Sequence, residues 1–265
     1  MANFHVVAGA QGGIVRPRIR RIDVGQVFSC LGAGIADFRD RPSHYFFLLM
    51  IYPIIGFLIL TWAAGANALP LVFPIISGFA LIGPFAALGI YEISRRKEQG
   101  LDTHWRDVLD LRHSPTLPSI AAVGFFLFAM FLAWLLVARE LYVTLIGPET
   151  PASLAAFWQQ IVGTEAGWTL IVAGNLIGFA FALVVLATSF IAFPMMLDRD
   201  VGAYSAMETS VRAFVKNPVP ILVWGMIVAA GLALGMATFL VGLIVILPIL
   251  GHATWHLYRS VVGMG

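Results

Sequence analysis

The sequence predicts an all-α polytopic membrane protein, with six transmembrane helices in three hairpins, each hairpin preceded by an amphipathic interfacial helix. Three observations predict it. Hydrophobic residues make up 60% of the 265 and charged residues 11%, against roughly 45–50% and about 25% in soluble domains, so too few charges are present to cover a water-facing surface. Apolar stretches approach or exceed the roughly 20 residues that a helix needs to cross a bilayer. Of the sixteen Lys and Arg, all but Arg139 fall in segments on one side of those stretches, the bias that marks cytoplasmic loops.

Taken in order, residues 1–22 read as a flexible basic tail containing Arg16, Arg18, Arg20 and Arg21. With no apolar run before a small-residue cleavage site, no secretory signal peptide is expected. A single transmembrane domain over 23–260 follows. Its first interfacial helix starts at Asp23, with Gln26 at the capping-box position and an apolar stripe of Val24, Val27, Phe28, Leu31, Ile35 and Phe38. The spacing then predicts spans over Tyr45–Ala64 and Leu71–Ile93, joined by an uncharged turn. A second interfacial segment carries Trp105, Val108 and Leu109 after Thr103, before spans over Pro118–Ala138 and Trp168–Leu197. Between those two, Thr150, Pro151 and Gly163 are expected to frame an external helix with Leu154, Phe157, Trp158, Ile161 and Val162 as its stripe. The third interfacial helix follows Asp200, with Val201, Tyr204, Met207, Val211 and Phe214 as its stripe. The uncharged run Val219–His256 is too long for one span, and reads as two helices with a turn near Gly235–Thr238. Arg259 beyond it favours an even count and two cytoplasmic termini.

Asp23-Val24-Gly25 is echoed by Asp200-Val201-Gly202, and Phe38-x3-Pro42 by Phe214-x3-Pro218. Pro84 and Pro248 each precede an arginine by eleven residues, Arg95 and Arg259. These matches suggest internal repeats over 23–97, 100–197 and 200–260. With its interfacial helices ending at Asn-Pro or Arg-Pro and its hairpin pattern, the chain resembles, from about Asp23 to Arg259, an uncharacterised family of proteobacterial integral membrane proteins, a domain of unknown function. Some members of that family carry the label cytochrome c oxidase subunit I. The expected spans and the two embedded histidines are too few for the two haems and copper of such a subunit.

His252 and His256 lie four apart on one helical face, a weak candidate ligand pair that lacks the third or fourth ligand a metal site wants. The alternative places them at the interface beside Trp255 and Tyr258. Glu92 near the end of the second span is a candidate membrane carboxylate, with His256 or Arg95 as its prospective partner, and Asn175 is the polar outlier of the fourth. Gly174, Gly178, Gly231 and Gly235 are candidate close-packing positions. Pro84, Pro194 and Pro248 are candidate kinks. Cys30 is the only cysteine, which excludes an intramolecular disulfide.

Neither a nucleophile elbow, a phosphate loop nor a pair of pocket carboxylates is present, so enzyme function is unsupported. No cofactor is expected. The expected partners are the lipid bilayer and other membrane proteins, without nucleic acid, and the expected location is the bacterial inner membrane. The reading these features favour is a non-catalytic accessory, assembly or scaffold module. A small-solute transporter or channel is second, and a redox or haem-associated protein third.

Overall fold

The computed structural model describes residues 16–40, 54, 61, 69–101, 114–149, 151–238 and 240–263. The expected first span at 45–64, apart from Ile54 and Thr61, and the second interfacial segment with Thr103, Trp105, Val108 and Leu109 lie outside the described residues, as does Thr150. The described residues form helices: α1 (Val24–Asp40), α2 (Leu69–Phe79), α3 (Gly83–Ala86), α4 (Leu88–Glu98), α5 (Leu117–Leu145), α6 (Leu154–Val162), α7 (Glu165–Ser189), α8 (Ala192–Asp198), α9 (Ala203–Lys216), α10 (Pro218–Ala237) and α11 (Leu243–Val261). Among the described residues the only β-type pairing is one antiparallel bridge, Ile19 to Val262. Among the described residues, three stretches are long and apolar enough to cross a membrane, namely Leu117–Leu145, Glu165–Asp198 and Pro218–Ala237.

The chain divides into two compact units, one of Met1–Pro53, Gly83–Phe125 and Leu186–Gly265, the other of Ile54–Ile82 and Phe126–Val185. In the first, α1 packs along α11, and its start follows the capping box read from sequence. The Gln26 amide donates to Asp23 Oδ1 at 2.8 Å, and the Asp23 amide donates to Gln26 Oε1 at 2.9 Å. The side packed against protein is offset from the apolar stripe. Val27, Cys30 and Gly34 turn inward, whereas Phe28 is 55% exposed, a rotation of roughly a quarter turn on the helical wheel. Gly34 explains it: a Cβ there would lie 2.6 Å from the Ile249 carbonyl oxygen and 2.7 Å from the Ala253 nitrogen. Small residues set the contact because they let two backbones approach. α9 also packs by its small residues, burying Ala203, Ser205, Ala206, Thr209, Ser210 and Ala213 and leaving Tyr204, Val211 and Val215 exposed. Its N-cap is Gly202, with no side-chain cap.

Two expected spans are interrupted. Leu71–Ile93 is not one helix: α2 passes into a 3-10 turn at Ala80–Ile82, then α3 and α4. Pro84 has no amide to give the carbonyl four residues back, which ends the ladder there. Likewise the fourth stretch breaks at Phe190–Ile191, between α7 and α8, and Phe190 is the residue whose carbonyl Pro194 leaves unbonded. Pro248 sits inside an unbroken α11. The last two helices pack on each other, and α10 runs through the expected turn at Gly235 to end at Ala237, with Thr238 as its C-cap and Gly242 as the N-cap of α11. There Thr238 Oγ1 donates to the Gly235 carbonyl and accepts from the Gly242 amide, both at 2.9 Å.

Residues 18–22, expected in a flexible tail, are docked instead. The Arg20 amide donates to the Val261 carbonyl at 2.8 Å and the Gly263 amide to the Arg18 carbonyl at 3.0 Å. Asn217, at the N-cap of α10, holds the same strip, accepting from the Ile22 amide at 2.9 Å and donating to the Arg20 carbonyl at 3.0 Å. The burial of Ile19 and Ile22 supplies the apolar driving force.

In the second unit Trp134 of α5 is the organising side chain. Its indole donates to the Pro74 carbonyl at 2.9 Å, and its ring meets Phe181 at a centroid distance of 5.9 Å. Gly78 and Gly178 make room for it, since a Cβ at either would lie 2.7 Å or 3.1 Å from the indole. α6 is capped by Ser153, whose Oγ accepts from the Ala156 amide at 3.1 Å. This places the helix start three residues beyond the expected Thr150, because Ser153 is the residue with a free hydroxyl at the cap geometry.

Candidate functional site

The polar groups read from the sequence do not form one ligand set, yet three of the four sit in the first unit, each in its own set of hydrogen bonds or ion pairs. These sets lie at the ends of α4, α8 and α11 and on α1. α4 carries its charges in its last two turns, where Arg95, Arg96 and Lys97 also suit the negative end of the helix dipole.

His252 is fully buried, its Nδ1 2.6 Å from Ser94 Oγ. Ser94 Oγ also donates to the Ile90 carbonyl at 3.1 Å. A hydroxyl has one proton, so this arrangement is satisfied when His252 Nδ1–H donates and Ser94 passes the bond on to Ile90. His256, one turn later, reaches a different partner, with Nε2 2.7 Å from Asp37 Oδ2. Asp37 also accepts from Lys97 Nζ at 2.7 Å, and Lys97 reaches Asp40 as well. Burial works against the Asp37 carboxylate, but hydrogen bonds from His256 and Lys97, with the charge of the two histidines, outweigh it and hold the group down to about 2. Lys97 is the counterpart: burial disfavours its charge, and the bonds to Asp37 and Asp40 raise its pKa above the ordinary value.

Glu92 is buried and takes Arg95, one of its two prospective partners. The guanidinium donates through Nε at 2.8 Å and Nη2 at 2.7 Å, a two-pronged ion pair. His256 is thereby left to Asp37. Trp255 and Tyr258, expected beside an interface, are buried within the chain. Trp255 Nε1 donates to Glu98 at 2.9 Å, and Tyr258 Oη to Asp198 at 2.6 Å. Arg259 ties those two carboxylates together, with Nη2 2.7 Å from Glu98 and Nη1 3.0 Å from Asp198.

Asn175 is not part of this. It belongs to the second unit, where it is exposed and donates to the Ile171 carbonyl of its own helix at 2.8 Å. Of the glycines, Gly178 faces Trp134 and Gly174 lies 3.8 Å, by its Cβ direction, from Leu141. Gly231 faces Ile246 and Leu250, and Gly235 meets Leu243 across the hairpin. Among the described residues no group of three or more His, Cys, Asp or Glu is placed to hold a metal ion. Asp37, Ser94, Lys97, Glu98 and Asp198 were missed by sequence reasoning. Their signal is only that each lies at the polar margin of an apolar helix, which singles out no partner.

Large apolar side chains are exposed among the described residues. Phe125, Leu136, Leu176, Phe179, Met226 and Leu234 are all exposed on the three membrane-length stretches. Residues 72–198 match the model of a family described as predicted integral membrane protein (DUF2189). The chain is an integral membrane protein. Its exposed apolar helices are therefore its lipid-contacting surface. No curated protein and no solved structure matches the chain.

Proposed function

We propose that this membrane protein is a non-catalytic accessory, assembly or scaffold module of the bacterial inner membrane, with six spans and both termini in the cytoplasm. One observation carries the functional reading. Glu92, His252, His256 and Asn175, the polar groups expected within spans, are each hydrogen-bonded to other groups of the same chain. Groups already satisfied internally hold helices together, and a substrate would have to compete with those bonds. No cofactor is proposed.

The topology rests on the lysine and arginine bias and on which segments meet. The N-terminal strip pairs with residues 261–263, Lys216 donates to the Ile19 carbonyl at 2.8 Å, and Arg259 binds Glu98. Four segments assigned to the cytoplasm on charge alone thus converge, which an even number of spans permits. The outward apolar faces of α1 and α9, with Phe28 and Val215, suit helices lying at headgroup level.

The experiment is purification in mild detergent, with partner identification and a visible spectrum. A membrane protein retained at fixed stoichiometry through two separations, and lost on Leu176→Asp in the exposed face of α7, supports the scaffold reading. A partner-free chain speaks against it, and a Soret band lost in the His252→Ala, His256→Ala double variant would replace it with the redox reading. A second reading, a small-solute transporter or channel, is favoured by one feature. The two proline breaks adjoin, Phe85 beside Pro84 meeting Phe193 beside Pro194 edge to face at 6.0 Å, as in folds where broken helices move. Substrate-dependent flux in liposomes would establish that alternative.

A further inference from the structure

We propose that the docked N-terminal strip forms a binding site for a phosphate group, carried either by an anionic lipid headgroup or by a free phosphate compound. Arg18, Ile19, Arg20, Arg21, Lys216 and Gly263 line a cavity of about 630 Å³. The strip's alternation builds it: Pro17 and Ile19 turn inward, and Arg16, Arg18 and Arg20 turn outward, with Arg21 exposed beside them.

Charge balance sets this site apart from the ion-paired ends of α4 and α11. Arg95, Lys97 and Arg259 all have carboxylate partners, and Arg16 reaches Glu208 at 3.0 Å. Among the described residues, Arg18, Arg20 and Arg21 have no carboxylate within ion-pair distance, and no acidic residue lines the cavity. The backbone bonds to Val261, Gly263 and Asn217 fix the main chain that carries these arginines, and all three line the one cavity. Lys216 is anchored by its bond to the Ile19 carbonyl. Like charges held together without a counter-ion repel, and an anion with several acceptor oxygens relieves that repulsion. Phosphate matches several guanidinium forks at once, as one carboxylate cannot. A basic pocket at the cytoplasmic boundary is also where anionic headgroups collect.

The test titrates the full chain in mild detergent with dioleoylphosphatidylglycerol, using dioleoylphosphatidylcholine at the same mole fraction as control. A parallel arm uses sodium pyrophosphate against sodium chloride at matched ionic strength, and thermal unfolding is the readout in both. The expected result is a saturable rise in Tm with one phosphate probe and none with its control. In Arg18→Gln, Arg20→Gln, Arg21→Gln the apparent affinity should fall at least tenfold, and in Arg212→Gln, outside the lining, it should not change. Single Arg18→Gln and Arg21→Gln variants, each weakening the response severalfold, keep the comparison valid if the triple variant unfolds. Response to the lipid assigns a headgroup, and response to pyrophosphate alone assigns a free phosphate compound. No response to either, or one that the arginine variants leave unchanged, overturns the proposal.

Discussion

Gly34 of α1 and Ala253 of α11 bring two helix backbones so close that a single added methyl group would collide with main chain. A Cβ at position 34 would stand 2.7 Å from the Ala253 nitrogen and 2.6 Å from the Ile249 carbonyl oxygen. Backbone cannot step aside as a side-chain tip can. Gly34→Ala is therefore expected to cost about 1–3 kcal/mol, the range for overpacking a fitted contact, and to lower Tm in detergent by several degrees. Gly32, on the same helix, has nothing within 4 Å of its Cβ position, so Gly32→Ala should be neutral or gain up to about 1 kcal/mol from helix propensity. Equal Tm values for the two variants would refute this account of the α1–α11 contact.

Asp37 makes stability depend on acid. Its folded pKa, about 2, is below the ordinary 3.8, so its contribution is present above pH 4 and is lost as pH falls towards 2. A shift of that size is worth at most about 2 kcal/mol, less what its residual solvent exposure screens away. Tryptophan-fluorescence melts of the wild type and of Asp37→Asn between pH 6 and pH 2 would check this. The variant should be less stable at pH 6 and should lack the part of the decline between pH 4 and pH 2. Parallel curves across that window would show that the bonds to His256 and Lys97 contribute nothing.

What the sequence made legible follows from how local each signal is. The Asp23–Gln26 capping box and the turn after Gly235 depend on neighbours in the chain, and both were read from residue type and spacing. Pro84 and Pro194 were legible as disruptions, because a missing amide acts within one helical turn. The Asp37–His256 and Ser94–His252 bonds join residues 219 and 158 positions apart, and no spacing rule connects them. The protein-facing sides of α1 and α9 were not legible for another reason. Apolar periodicity finds the greasy side of a helix, whereas here the packed sides are made of Gly34, Ala206, Ser210 and Ala213.

Orientation is testable without purified protein. All but one of the lysines and arginines lie in segments 1–44, 94–117, 198–218 and 257–265, so reporter fusions after Arg112, Lys216 and Gly265 should behave as cytoplasmic. A fusion after Gly147, beside the lone Arg139, should behave as periplasmic. A periplasmic signal at Gly265 would contradict the six-span count, and with it the same-side pairing of Ile19 and Val262 across a bilayer.

The outward faces of α1 and α9 separate lipid contact from internal packing. Phe28 and Val215 are exposed, at 55% and 71%, so a polar replacement removes little intramolecular contact at either. In a bilayer these side chains are expected to sit among acyl chains near the headgroups, where a carboxylate is disfavoured. Phe28→Asp and Val215→Asp should therefore lower Tm and yield in lipid nanodiscs, and should change Tm much less in a short-chain detergent that solvates the new charge. Arg212→Asp, on the polar flank of α9, should be tolerated in both media apart from its change of charge. Val27→Asp supplies the opposite control: Val27 is fully buried within the chain, so the carboxylate is unsolvated in either medium and the loss should be large in both. If Phe28→Asp and Val215→Asp behaved like Arg212→Asp in nanodiscs, these faces would meet water and the interfacial assignment of both helices would fail.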